Sequence, residues 1–297
     1  KTIEMKTKQL KLTKTSQWML LAFMTIAISS CSNDDDKDVT EPDPTPPVEE
    51  NLPVTLDCNA FQANNSEAIT VLENRNDGVD YIIPCIASVE VDLQIEAGVV
   101  IAFEDAAGMI VRSGASLSAE GTSDNPISFT GLTPTKGSWK GIMSSSPSVK
   151  NKFDYVVIQY AGDGGLTSNS DPASLILLSE SYFRISNTTI KDGLEYGISA
   201  PGQEYDVEIT DCKISGCEIP LFLDTNIIPN LSGGDFKGNQ TDVIRVSAGG
   251  KGAINKSQTW KKFPIPYRVD DIVVVDGAKW TIDPGVVIEF EETRGLL

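Results

Sequence analysis

The 297 residues contain no histidine, 42 Asp and Glu, and 24 Lys and Arg. Without an imidazole there is no Ser-His-Asp triad, no Cys-His pair, no His metal site and no His proton shuttle. Acid–base chemistry would fall to carboxylates, Lys, Arg or Tyr. Carboxylate pairs stand at Glu104-Asp105, Asp270-Asp271 and Glu291-Glu292. Glycoside hydrolysis needs two carboxyl groups facing one groove, but each pair also reads as a solvated corner. Asp163 and Asp171 lie in the segment 162–172 (GDGGLTSNSDP), a loop beside which such a groove would form. Tyr155, Tyr160, Tyr182, Tyr196 and Tyr205 fall near strand ends or corners, where rings either stack on neutral sugars or pack at the ends of coils. The Gly-rich runs 163–165 and 249–252 precede no helix, so neither is a phosphate cradle. A net charge of −18 offers no basic footprint for nucleic acid. It also repels acidic polysaccharide unless calcium bridges the two, which makes calcium the one ion with a conceivable role.

The elements that position these groups repeat. Ile185-Ser186-Asn187-Thr188-Thr189-Ile190 matches Ile209-Thr210-Asp211-Cys212-Lys213-Ile214 at an offset of 24, and Leu231 with Phe236 continues the pattern 22 residues on. Upstream, Phe153 to Ile158 has the same spacing at an offset of 32, with room for the 162–172 loop. A longer match sets IEAGVVIAFEDAAGMI (95–110) against IDPGVVIEFEETRGLL (282–297), with 8 of 16 positions identical at an offset of 187. Short apolar strands between Gly, Asn or Asp corners cannot each bury a face alone. Stacked as coils they share one core, and each backbone pairs with the coils on either side. The spacing therefore predicts an all-β solenoid of parallel strands, with apolar residues inward and the alternating polar ones outward. No stretch carries a long stripe of helical period.

Ahead of this body stands an address. Residues 1–14 carry five Lys and one acid, and an apolar run from Trp18 to Ile28 follows. The run is too short for a comfortable permanent span and has the order of a secretory signal. Ile28-Ser29-Ser30-Cys31 resembles the lipobox of bacterial lipoproteins, a family in which the cysteine is lipidated and becomes the mature N-terminus. Ser32-Asn33-Asp34-Asp35-Asp36-Lys37-Asp38 resembles the acidic export run of some Gram-negative lipoproteins, and also reads as a solvated linker. The resemblance implies an outer-membrane lipoprotein, exposed at the cell surface and held to the membrane through the lipid on Cys31. Residues 39–53 are rich in Pro and acid and are expected to stay extended.

The body has a resemblance of its own. IEAGVVIAF, GMIV, SGASLSAEGTSDNPISFTG and GSWKGIM, followed by FDYVVIQYAG and the Asn/Asp coils, look like right-handed parallel β-helix proteins of the pectin-lyase-like kind. Gly98, Gly108, Gly114, Gly121, Asn125-Pro126-Ile127, Phe129 and Trp139-Lys140-Gly141-Ile142 carry the likeness. Asp270-Asp271 distantly resembles the paired aspartates of β-helix polygalacturonases, but the Gly-His-Gly and Arg-x-Lys signatures are missing. Arg184 and Arg245 stand without the acidic cluster of calcium-dependent lyases.

These readings divide the chain into a signal peptide (1–30), a lipidated Cys and tether (31–53), a single-stranded right-handed parallel β-helix (54–258) and the start of a second, truncated repeat unit (259–297). Cys58, Cys85, Cys212 and Cys217 are disulfide candidates for an extracytoplasmic domain. A Cys58–Cys85 bridge would pin an N-terminal cap to the first coil, while Cys212 also reads as a small core residue. No zinc pattern is present. The expected function is a non-catalytic binding or adhesion module for glycan or a partner protein, with Tyr155, Tyr160, Asp163, Asp171, Tyr182 and Tyr196 as candidate contacts. A carboxylate-dependent polysaccharide lyase or glycoside hydrolase is the alternative, and a structural stalk a further one.

Overall fold

The computed structural model describes residues 52–75, 77–168, 170–202, 206–247, 253–254, 256–270, 274–275 and 277–290. Cys31, the signal-like segment, most of the tether, Tyr205, Asp271, Glu291 and Glu292 lie outside these residues. The described chain is a parallel β-solenoid. Every strand pairing within it is parallel. Strands are two to six residues long. Most fall into three long sheets that the chain visits in turn, coil after coil, and near the C-terminal end Ala253–Ile254 with Val274–Val275 and Gln258–Trp260 with Trp280–Ile282 form two further two-stranded parallel sheets. Sheet 1 has seven strands and includes Tyr81–Ile83, Val100–Phe103, Ile127–Gly131, Val156–Gln159 and Thr189–Lys191. Sheet 2 has nine and includes Gly108–Val111, Ile142–Ser144, Ala173–Leu177, Tyr196–Ala200, Ile219–Asp224 and Ile244–Ser247. Sheet 3 has seven and includes Asp92–Ile95, Ser116–Glu120, Lys152–Asp154, Tyr182–Ser186 and Asp206–Thr210.

The repeat offsets are the ladder registers. Phe153 pairs Ile185, Ile185 pairs Ile209 and Ile209 pairs Leu231, so spacings of 32, 24 and 22 residues place like beside like. In sheet 1, Ile101, Phe129, Ile158, Ile190 and Ile214 form one inward row, each fully buried. Aromatic rings continue the column between coils. Trp139 stacks on Phe103 at 4.1 Å, and Phe153 lies 5.7 Å from Phe129 and 4.9 Å from Phe183, centroid to centroid. Such contacts add to the area each ring removes from water.

Three sequence expectations change here. The similarity at offset 187 marks a shared corner and no separate solenoid. Gly98 (φ 86°) and Gly285 (φ 81°) make the same left-handed turn between two strands. Yet Val100–Phe103 belongs to sheet 1, whereas Tyr267–Val269 and Ile288–Phe290 extend sheet 2 of the first column. Cys212 and Cys217, candidates for a bridge, are buried free thiols. The strand Lys213–Ser215 runs between them, and three extended residues take up roughly 10 Å, beyond disulfide reach. Burial pushes both thiols up to about 11, so neither is a nucleophile at neutral pH. Finally, Ile110, Met143 and Ile176 alternate with inward residues and so face outward, where polar residues are expected. Leu166, from the 162–172 loop, packs over them, which explains their burial.

At the other end, Cys58 and Cys85 are joined, with Cα atoms 6.1 Å apart. The bridge ties the turns at 57–68 to the first full coil. In the Cys58→Ser/Cys85→Ser variant, amide exchange should show protection lost at 54–72 and kept beyond Met109, because a stacked array opens from its ends. Phe153→Ala removes a ring from the middle of the column. Urea titration should show a loss of about 3–5 kcal/mol.

Candidate functional site

With the column filled by apolar side chains, the open polar groups stand on the outer faces. A concavity of about 510 Å³ lies on the outer face of sheet 3 and includes Asp92, Ser116, Ser118, Glu120, Lys150 and Lys152 in its walls. Strand alternation sends these side chains out while Leu93, Leu117, Ala119 and Phe153 point in. Val149, 73% exposed, and Val71, 41% exposed, supply apolar contact area at its margins. The charges are matched across coils. Lys150 Nζ lies 2.6 Å from Asp92 Oδ2, and Lys152 Nζ 2.6 Å from Glu120 Oε2. The Lys150 ammonium and then the Ser116 hydroxyl hold the Asp92 carboxyl below its ordinary value. Both pairs are solvent-exposed, so they organise the groove more than they stabilise the fold. A carboxyl group poised to give up a proton at neutral pH needs its pKa raised, and Asp92 is shifted the other way.

A second concavity, about 190 Å³, sits beside the 162–172 loop on sheet 2 and includes Asp171, Ile176, Ser199 and Pro201. Ser199 Oγ donates to Asp171 Oδ2 at 3.1 Å. Beyond it the outward row runs Ser199, Phe222, Arg245, Arg268 and Glu289. The Arg245 guanidinium lies 4.5 Å over the Phe222 ring, and it also meets the Tyr196 hydroxyl and the Asp270 carboxylate. Burial pushes the Tyr196 hydroxyl above its ordinary value, with Arg245 pulling it down, so it stays a neutral phenol. Burial, Glu218 and Asp171 together raise Glu195, which stands at the entrance to the Tyr196 strand. Asp270 is therefore engaged in an ion pair, and Glu104-Asp105 is an exposed turn.

The six sequence candidates are spread over three places. Asp171 and Tyr196 are both on the sheet 2 side, where the Asp171 charge acts on the tyrosine. Asp163 lies in the same loop, its carbonyl accepting from Lys140 Nζ at 3.0 Å. Tyr182 is on sheet 3, with the Arg184 guanidinium 4.0 Å over its ring. Tyr155 and Tyr160 occupy the two corners that bound one strand of sheet 1, both with positive φ. Among the described residues, no cluster of three or more Cys, Asp or Glu is arranged to hold a metal ion. No helix among them is long and apolar enough to cross a membrane.

Sequence reasoning missed Asp224 and Thr225, which lie at the end of a sheet 2 strand and are each 1% exposed. Asp224 Oδ1 accepts from the backbone N–H and side-chain amide of Asn226, both at 2.8 Å, while Oδ2 has no partner. An apolar stretch such as IPLFLD conceals this, because an Asp at its end reads as a polar terminator. Burial raises the carboxyl pKa. A raised carboxyl can serve as a general acid, but this one is closed to substrate. No family model, curated protein or solved structure matches the chain.

The sign of the pH effect follows from Asp224. Its folded pKa lies above its unfolded one, so folding is most favourable when both states are protonated and weakens as pH rises through the unfolded value of 3.8. Asp224→Asn keeps the Oδ1 contacts and removes the charge. Melting curves should show the variant more stable than wild type at pH 7, with the gap closing near pH 4.

Proposed function

We propose that the chain is a lipid-tethered surface protein whose β-helix binds glycan or a partner protein through its outer faces and performs no catalysis. The groove on sheet 3 carries this reading. It carries the hydroxyls of Thr70, Ser116 and Ser118 and the Gln94 amide, is edged by valines, and its cations and carboxylates are paired with each other. Such a surface can satisfy many polar groups of a ligand at once and offers apolar area for its less polar faces. The lipobox-like Cys31 and the acidic run behind it support the tether and the outer-membrane location. A stack of coils with one dry column also suits a part that must keep its shape outside the cell.

Two measurements test the two halves. Cells fed a labelled fatty acid should label the wild-type protein and not Cys31→Ser, which should appear in the soluble fraction; label retained on Cys31→Ser overturns the anchor. On a glycan array, Lys150→Glu/Lys152→Glu should bind about tenfold more weakly than wild type, since repulsion replaces both ion pairs across the groove. Unchanged binding removes the groove from the account.

An enzyme of the polysaccharide lyase or glycoside hydrolase type is the second reading, favoured by Asp171 in the wall of the loop cavity and by Glu195, outside that wall, whose carboxyl the Asp171 charge helps to raise. Release of reducing ends or unsaturated products that disappears in Asp171→Asn would establish it.

A further inference from the structure

The groove on sheet 3 holds one three-part arrangement twice. Ser116 Oγ donates to Asp92 Oδ1 at 2.7 Å, and Lys150 Nζ lies 2.6 Å from Asp92 Oδ2. Ser118 Oγ donates to Glu120 Oε1 at 3.2 Å, and Lys152 Nζ lies 2.6 Å from Glu120 Oε2. In each, a serine holds one carboxylate oxygen and an ammonium the other. The fold sets the repetition. Ser116 and Ser118 are alternate outward residues of one strand, roughly 7 Å apart. Asp92 is the register partner of Ser116 in the coil on one side, and Lys152 is that of Ser118 in the coil on the other.

The two holds differ in how easily they are exchanged. Ser116 is buried, on a strand paired on both sides. The lysines end flexible four-carbon stems, and the side chains of both ion pairs are 38–65% exposed. Such a pair is worth little, so its ammonium leaves at small cost while the serine keeps the carboxylate in place. A ligand that brings an ammonium to the carboxylate and an anion to the freed lysine turns one ion pair into two. A neutral ligand leaves the pairs as they are. A purely acidic one meets Asp92 and Glu120 as well as the field of a chain of net charge −18. A purely basic one meets both ammonium groups. The formal charges of the lining, two Lys against one Asp and one Glu, cancel. The complement of such a surface is a ligand that itself carries both signs.

We propose that the sheet 3 groove is a site for a zwitterionic glycan, whose sugars carry free amines and acidic groups together. Asp92 and Glu120 receive the amines, and Lys150 and Lys152 receive the anions. The Gln94 amide and the Thr70 hydroxyl, in the same walls, serve the uncharged hydroxyls of the sugars, and Val71 and Val149 their C–H faces. The proposal rests on the binding-module reading for the groove and for the glycan class, and adds the charge type of the ligand.

The test uses the full chain in calorimetric titrations at pH 6, where amines and carboxylates are both charged. The probe is a hexasaccharide of alternating glucosamine and glucuronate in three forms: with free amines, with the amines acetylated, and with free amines but the carboxylates reduced to alcohols. Wild type should bind the first form about tenfold more tightly than either of the others, the scale of one charge-assisted contact. Asp92→Asn/Glu120→Gln should lose the preference over the acetylated form, and Lys150→Met/Lys152→Met the preference over the reduced form. Both variants should melt close to wild type, since exposed pairs hold the fold weakly. Equal binding of the three forms by wild type overturns the zwitterion, and so does a preference over the acetylated form that survives in Asp92→Asn/Glu120→Gln. Glycan-array binding that still depends on Lys150 and Lys152 would then leave the groove reading standing. A peptide of alternating Glu and Lys is the rival probe. If it binds and no hexasaccharide does, a protein segment is the occupant and the inference falls; binding of neither overturns it as well.

Discussion

Everything in this molecule depends on inward side chains meeting their counterparts in the next coil. A strand of two to six residues buries nothing by itself. It becomes stable when Ile158 lies on Phe129 and under Ile190, and when its N–H and C=O groups find partners in both neighbours. That requirement fixes the rest. It demands apolar residues at one place in each coil, whatever length of loop intervenes. It also demands corners tight enough to turn the chain within one or two residues, which forces left-handed backbone at regular heights. Any residue that is neither inward nor at a corner is released for function.

How the loops were lengthened shows the same logic. The register between Ile142 and Leu175 spans 33 residues, whereas Leu221 and Ile244 are 23 apart. The extra chain leaves the column undisturbed and folds over the outer face of sheet 2, where Leu166 covers Ile110, Met143 and Ile176. Loop and apolar patch explain each other: the patch would be costly in water, and the loop would have no anchor without it.

Much of this was legible before any coordinates. The offsets 24, 22 and 32 among Phe153, Ile185, Ile209 and Leu231 are the register itself, because side chains in one column must be alike. The 187-residue similarity misled for a physical reason: a strand–Gly–strand corner is a local solution that any sheet can use, so its recurrence says nothing about which sheet it joins. Outward Met143 was hidden because alternation reveals two faces and not what lies on them. The scatter of Tyr155, Tyr182 and Tyr196 over three surfaces was equally hidden, since each face is assembled from coils that are distant in sequence. The left-handed corners were within reach, however. Aligning the repeats sets Tyr155 in a column with Asn187, Asp211 and Gly233, all of positive φ, and Asn, Asp and Gly are the residues that tolerate it.

The column can be probed directly in solution. Methyl-labelled protein should give magnetization transfer between Ile158 and Ile190 and between Ile185 and Ile209, pairs that lie 32 and 24 residues apart and neighbour each other across parallel strands about 4.8 Å apart. Contacts at those spacings in every coil are the expected result. Cross-strand contacts running in opposite directions along the chain, as in hairpins, would contradict the stacked parallel column and the sites built on its faces.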